Sequence, residues 1–293
     1  MPQDYRRIQG PEVSEDYRKL GPTEQPLIKN KGDRTRGDGR KCKDLRKIFL
    51  KTGVVTQAKG SAYIELDHTK VICSVFDPRE KPRSSEHNLR GEIFCEFKFA
   101  SFSGLQRRSH QQEADDKEYS LLLKNALEPA VCLHEFPNFQ VEVHVLVLQD
   151  DGSSLAAAIT CAGLALGDAA VPMYDLPVGL SKAFLGDTEL TDPTGVEERV
   201  CLQGVDGEDE HGMFTVSLLP TFNQVSQLYH TGHITPSRFQ QLITETVELG
   251  AEVHKAVQAT LLSAVKVRSW NCLLTAGKEE NSRGFSGMHS ISI

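Results

Sequence analysis

An apolar strand, Val141 to Leu148, runs through Gln149-Asp150-Asp151-Gly152-Ser153-Ser154 straight into a helical run of small residues, AAAITCAGLALGDA. This layout leaves the first backbone N–H groups of the helix without intrahelical partners, and such groups attract an anion. Two readings follow. The turn is either a phosphate cradle or an ordinary helix start, with Ser153 or Ser154 as the cap and the alanines packed against a sheet. Asp150 and Asp151 stand beside the turn and oppose a bound anion.

The rest of the pattern defines the fold class. Val54-Val55, the run at 60–66 and the run at 69–78 are β-rich and broken by Gly53, Gly60 and the Asp67-His68 turn, which predicts a meander. Ile93 to Phe99 is a further strand. A polar connection over 103–117 leads to a helix in which Leu121, Leu122, Ala126, Leu127 and Ala130 fall at helical spacing, with Pro137 as its stop. Strands follow in FTVSLLPT and QVSQLYH. The last helix starts at Thr235-Pro236 and carries an apolar stripe through Phe239, Leu242, Val247, Val253, Val257, Leu261 and Val265. Strands with helices between them and a long closing helix predict an α+β layered domain. The expected boundaries are a basic flexible arm at 1–35, the domain at 36–272 and a disordered tail at 273–293.

Charge limits the function. The net charge is −7, yet residues 1–50 hold 13 Lys or Arg against 8 Asp or Glu, and residues 51–293 hold 20 against 32. An acidic body is a poor stand-alone binder of nucleic acid, because neutralising phosphates supplies most of that affinity. Any RNA contact is therefore local or shared with partners. No apolar run approaches the length of a membrane span, and the charged opening lacks the apolar core of a secretory signal, so a cytosolic or nuclear chain is expected. The seven cysteines, Cys42, Cys73, Cys95, Cys132, Cys161, Cys201 and Cys272, are scattered without a C-x-x-C pair, which points to reduced thiols rather than zinc or disulfides.

Several short features have a sharp and a plain reading. His230-x-x-His233 suggests a metal pair but has no third ligand, and zinc needs three or four. Arg107-Arg108 follow the Phe102-Ser103-Gly104 turn and are either an RNA contact or a solvated pair. The basic run at 29–47 is a solvated arm, an import signal or an RNA contact. Arg36-Gly37-Asp38 spells an adhesion tripeptide, although a chain expected inside the cell has little use for one.

The sequence also resembles a known family. Asp38-Gly39-Arg40 followed by Leu45-Arg46, the run TGVVTQAKGSAYIELDHTKVICSVFDPRE at 52–80, LRGEIFCEFKFASFSG at 89–104, ALEPAVCLHEFPNFQVEVHVLVLQDDGSS at 126–154 and MYDLPVGLS at 173–181 together resemble the RNase PH-like subunits of RNA exosome rings. The likeness spans about residues 36–265, and the opening MPQDYRRIQGPE is similar to one eukaryotic member in particular. The resemblance implies the fold of ribosomal protein S5 domain 2. It also implies six such chains in a ring around an RNA channel, with a pair partner of the same fold (the component seven subunit), S1-domain cap subunits and single-stranded RNA in the channel. Nuclear, nucleolar and cytoplasmic placement is expected on the same ground.

Active members of the family cleave RNA by phosphorolysis and carry an Asp-Gly-Gly-(Thr/Ser)-Arg-(Thr/Ser) pattern at the phosphate cradle. The matching positions here are Asp151, Gly152, Ser153, Ser154, Leu155 and Ala156, so Leu155 stands where the phosphate-binding Arg would be and Ala156 replaces a hydroxyl. An Arg-Arg-Ser run of active members corresponds to Ala114-Asp115-Asp116, which reverses the charge. In the acidic cluster Asp192 is retained, Thr194 replaces a carboxylate and Glu198 takes the place of the last Asp. The resemblance therefore implies a ring subunit with no catalytic residues, metal or cofactor of its own that supports 3′-to-5′ RNA processing and decay. The alternative is an active phosphate-dependent exoribonuclease with a rearranged site.

Overall fold

Along Phe139–Gln149 the residues Val141, Val143, Val145 and Val147 alternate inward, and the neighbouring Glu92–Phe99 does the same with Ile93, Cys95, Phe97 and Phe99. This period of two gives a strand one buried face. The computed structural model describes residues 28–30, 35–80, 89–104, 107–109, 111–203 and 210–284, with side chains omitted at 28–30, 35 and 268–284. Among the described residues the strands are β1 (Ile28–Asn30), β2 (Thr35–Arg36), β3 (Ile48–Thr52), β4 (Gly60–Leu66), β5 (Thr69–Glu80), β6 (Glu92–Phe99), β7 (Phe139–Gln149), β8 (Val178–Leu185), β9 (Thr188–Thr191), β10 (His211–Leu219) and β11 (Gln224–His233). The α-helices are α1 (Ala114–Leu127), α2 (Ser154–Asp168), α3 (Gly195–Gln203) and α4 (Pro236–Gly284).

A five-stranded sheet has the order β3-β4-β5-β7-β6, antiparallel except for the parallel pair β6 and β7, which α1 connects. A four-stranded antiparallel sheet has the order β11-β10-β8-β9, and β1 pairs with β2 apart from both. The mixed sheet and packed helices are the α+β arrangement expected, and β3, β4 and β5 form the meander. Its first strand lies at 48–52 rather than at Val54-Val55, because Gly53 at φ 68° ends the pairing before the valines. No described helix is long and apolar enough to cross a membrane.

Helix α2 lies between the two sheets, packed on β4 and β5 on one side and on β8 on the other. Every residue from Leu155 to Leu166 is buried, the behaviour of a helix that is apolar all round. Alanine and glycine let both sheets come close. A Cβ at Gly179 of β8 would stand 2.4 Å from the Ala156 carbonyl oxygen and 2.8 Å from its Cα. Helix α4 covers β8 and β3 with Leu242, Val253 and Val257 and continues past the expected boundary at 272 to Gly284. Good helix formers such as Leu273, Leu274, Ala276, Lys278 and Glu279 offset the cost of Gly277 there. Residues 285–293 of the expected tail, and 1–27 and 31–34 of the expected arm, lie outside the described residues.

Two helices start where the sequence pattern alone misplaces them. Helix α1 begins at Ala114, inside the stretch expected to be a polar connection, and it gives way at Glu128–Ala130, before Pro137, to a short 3-10 turn containing Pro129. Helix α3 fills the acidic segment. Cys73, Cys95, Cys132 and Cys161 are buried free thiols, Cys201 is buried as well, and burial pushes the Cys95 thiol up to about 12.

Because the contact at Gly179 is backbone against backbone, G179A forces α2 away from β8. A loss of about 1–3 kcal/mol in a chemical-denaturation experiment is expected, whereas an unchanged midpoint would show that the layers separate freely.

Candidate functional site

The turn before α2 is held from outside by the Arg46 guanidinium. Its Nε and Nη2 donate to the two carboxylate oxygens of Asp192 at 2.8 and 2.6 Å. The same group donates to the carbonyls of Asp151 (3.1 Å) and Gly152 (3.2 Å) and to the Thr69 hydroxyl (3.1 Å). Burial alone would raise the Asp192 carboxyl, but the Arg46 side chain and backbone N–H, with help from Arg40, hold it below the usual carboxylate range. Gly152 has φ 83°, and a Cβ there would meet the Pro193 carbonyl at 2.6 Å, so this position needs glycine on both counts.

Beside this pair lies a second one. Arg36, fully buried, donates through Nε and Nη2 to the two carboxylate oxygens of Glu197 and through Nη1 to the Thr191 carbonyl. Glu197 also accepts from the Thr194 N–H at 2.8 Å, as the third residue of a helix does in a capping box. The Thr194-x-x-Glu197 spacing is the signal in the sequence that marks the start of α3. Arg36, the first residue of the Arg36-Gly37-Asp38 tripeptide, is a structural cation.

Ser153 occupies the N-cap position of α2 in a left-handed conformation, φ 55°, without a side-chain cap bond. Its hydroxyl instead donates to the Pro193 carbonyl (3.1 Å) and accepts from Ser181 (2.6 Å). The reading of Ser153 as a cap is corrected here: αL backbone turns the hydroxyl away from the helix and toward β8. The acceptor at the helix start is Glu198, which takes the Ser153 N–H at 2.7 Å, while Asp150 takes the Gly152 N–H at 3.3 Å. Ser154 follows as the first helical residue, and its hydroxyl binds Asp150. The chain's own acids occupy the anion-attracting end of α2.

Leu155 is 6% exposed and joins the main core, and Ala156 lies against Gly179. Asp115 and Asp116 sit in the first turn of α1, where acids favour the helix dipole. Asp116 is buried and accepts the Glu113 N–H at 3.1 Å. The charge reversal relative to active relatives thus coincides with a helix start. The structure brings these positions together. The Tyr119 hydroxyl is pushed up by burial first, then by Glu198, Tyr229, Asp150 and Asp115. Burial, opposed by the Ser153 N–H and reinforced by Asp150, raises the Glu198 carboxyl to about 8.

The two arginines of the 103–109 loop differ. Arg108 is partly buried, lies 3.9 Å over the Phe99 ring and opposes the rise that burial imposes on Asp150. Arg107 is exposed, so the two arginines do not form one solvated pair. His230 and His233 are three apart on β11, so their side chains leave opposite faces. His230 stacks on Phe184 at 6.1 Å instead. Among the described residues no three His, Cys, Asp or Glu side chains form a cluster able to hold a metal ion, and both Asp192 oxygens already face Arg46.

The comparisons with known proteins agree with this geometry. The model of the 3′ exoribonuclease family, domain 1, matches residues 44–172. The chain is 37% identical over 287 residues to "Exosome complex component MTR3" of Homo sapiens, covering 92% of this chain and 98% of the relative. It is 38% identical to the Mus musculus protein of the same name, with the same coverage. A chain of the solved structure "archaeoglobus fulgidus exosome with RNA bound to the active site" superposes with a TM-score of 0.67 at 21% identity, over 77% of this chain and 93% of that one. "Crystal Structure of rice(Oryza sativa) Rrp46" superposes with a TM-score of 0.66 at 22% identity, over 77% and 100%. The chain belongs to the RNase PH-like exosome ring subunits, and within them it is homologous to the eukaryotic MTR3 proteins.

Glu198 supplies a pH test. A folded-state carboxyl that keeps its proton to about 8, against 4.5 ordinarily, is most favourable below 4.5, and its contribution declines as pH rises through that window. E198Q keeps the acceptor for Ser153 and removes the charge. Thermal unfolding should find it equal to wild type near pH 5 and about 1–3 kcal/mol more stable at pH 8. A mutant that tracks wild type at both values would mean that Glu198 ionises freely.

Proposed function

We propose that this chain is a non-catalytic subunit of an RNA exosome ring. It occupies one ring position, lines part of the RNA path and binds neighbouring ring and cap subunits, supporting 3′-to-5′ processing and degradation of ribosomal and messenger RNA without phosphorolysis of its own. One observation carries this reading: where active relatives present a phosphate-binding Arg beside a helix N-terminus, Leu155 is buried in the core and Glu198 accepts the Ser153 N–H. A bare helix end supplies only about 0.3–1 kcal/mol toward an anion at an exposed site. Asp150, Asp151 and Asp115 oppose it further, and Glu198 already occupies the Ser153 N–H.

The surface supports assembly. Phe49, Phe94, Phe222, Val225 and Leu228 are exposed. Strand β11 is an edge of the four-stranded sheet and contains no Lys, Arg or Pro, the residues that usually discourage strand pairing. The pair partner in this reading is the component seven subunit, with S1-domain cap subunits on one face and single-stranded RNA in the channel. The compartments are nucleus, nucleolus and cytoplasm.

Two experiments test the proposal. The first incubates the purified chain, alone and in its ring, with single-stranded RNA, magnesium and inorganic phosphate. Neither wild type nor L155R should release nucleoside diphosphates above background, because Asp115, Asp116 and Glu198 remain in place. Phosphate-dependent release that disappears in D192N would establish an active exoribonuclease. The second expresses the chain with and without the component seven subunit. Soluble 1:1 complex should form only on co-expression, and tagged chain should recover that partner from nuclear and cytoplasmic fractions alike. A monodisperse, thermally stable monomer that ignores the partner would contradict the pairing.

A further inference from the structure

Phe102 is 65% exposed, although the aromatic residues nearest to it in sequence are packed away. Phe97, Phe99 and Tyr119 form a cluster with ring centroids 5.1 to 5.8 Å apart, and the Arg108 guanidinium closes it over Phe99. Backbone bonds hold the described residues around Phe102. The Ala100 N–H bonds the Val147 carbonyl of β7 at 2.9 Å, the Ser103 N–H bonds the Ala100 carbonyl at 2.9 Å, and the Arg108 N–H bonds the Ser101 carbonyl at 3.1 Å. The last of these bonds closes the chain between Ser101 and Arg108, so that Phe102 and Arg107 are the residues just inside the closure. The Asp150 N–H bonds the Ser103 carbonyl at 2.9 Å, which ties the turn to the lost phosphate site. An exposed apolar ring on a bonded turn, with an exposed arginine at the other end of the closure, is the combination that binds single strands: bases stack on the ring and the cation meets the phosphate. Two other exposed phenylalanines lack this setting. Phe49 lies edge-on to Tyr63 and opposite Glu65, and Phe94 lies edge-on to His144, which pairs with Glu96 at 2.9 Å.

We propose that Phe102 and Arg107 form a contact for single-stranded RNA, in which one base stacks on the Phe102 ring and Arg107 holds the adjoining phosphate. The contact rests on the reading of this chain as a ring subunit on an RNA path, and it specifies what that path touches once the chemistry is gone. Because Phe102 is exposed and its turn is held by backbone bonds, its replacement leaves the fold intact.

The test uses rings reconstituted with wild type, F102A, F102W, R107A or R107K, checked for composition by size exclusion and then titrated with a fluorescein-labelled oligouridine at several salt concentrations. F102A should weaken binding about fivefold or more with an unchanged salt slope, and F102W should restore it. R107A should weaken binding and lower the slope of log K against log salt by about 0.7, with R107K close to wild type. Cross-links from 4-thiouridine RNA should map to the 101–108 loop in wild type and fade in F102A. Intact rings whose F102A and R107A forms bind and cross-link as wild type does would overturn the contact and leave the ring reading standing. A ring that F102A disassembles would overturn it in favour of a subunit interface. A chain that never enters the ring would remove both.

Discussion

The pairing of Arg46 with Asp192 holds together the parts of this molecule that would otherwise have separate fates. Asp192 lies at the end of the second sheet, Arg46 precedes the first, and the carbonyls of Asp151 and Gly152 that Arg46 also binds lead into the central helix. Burying an ion pair is favourable only when the remaining donors and acceptors find partners. Here the guanidinium has five acceptor atoms around it, so the desolvation cost is offset. The Arg36–Glu197 pair repeats the solution one turn into α3. Losing one member of such a pair strands a buried charge at a cost of about 3–5 kcal/mol, which makes these carboxylates part of the fold rather than part of a reaction.

The central helix imposes the complementary constraint. With both faces buried, α2 admits only small or compact side chains, and its N-terminus opens toward the turn that Arg46 fixes. An N-terminus in that position must find acceptors. In this chain Asp150 and Glu198 provide them, and the longer Glu side chain at position 198 reaches the Ser153 N–H directly. The raised Glu198 carboxyl is the electrostatic consequence of placing it near Asp150 and Asp192 in a poorly solvated corner.

The fold was legible where periodicity was strong. Strands β4 to β7, the small-residue helix and the start of α4 follow from alternation, composition and the Thr235-Pro236 start. Helix α3 was not, because Glu197 and Glu198 read as members of an acidic cluster and only Thr194-x-x-Glu197 marks a helix start. The start of α1 at Ala114 was hidden in the same way, since Asp115 and Asp116 are polar and serve the helix end rather than a surface. At the site, the loss at Leu155 and Ala156 could be read from the residue types. That Ser153 does not cap could not, because a left-handed serine is stabilised by Ser181 and Pro193, distant in sequence. Arg46 and Arg36 carry no local signal of burial; their carboxylate partners lie more than a hundred residues away.

Each position that matches the family's catalytic site, kept or replaced, serves the fold here. Leu155 packs into the core, Asp116 satisfies the first turn of α1, Asp192 balances Arg46, and Glu198 closes the end of α2. An arginine at 155 would bring a desolvated guanidinium into a site built for an isobutyl group, and clearing the acids at 116 or 198 would take away the acceptors of the Glu113 and Ser153 N–H groups, each at a cost of about 0.5–1.5 kcal/mol. A domain is stable by only about 5–15 kcal/mol in total. Reinstating the phosphate site one residue at a time would therefore spend much of that margin before any single step restored turnover. The physical coupling between helix starts and the old cradle holds this subunit in its structural role more firmly than the absence of one arginine would.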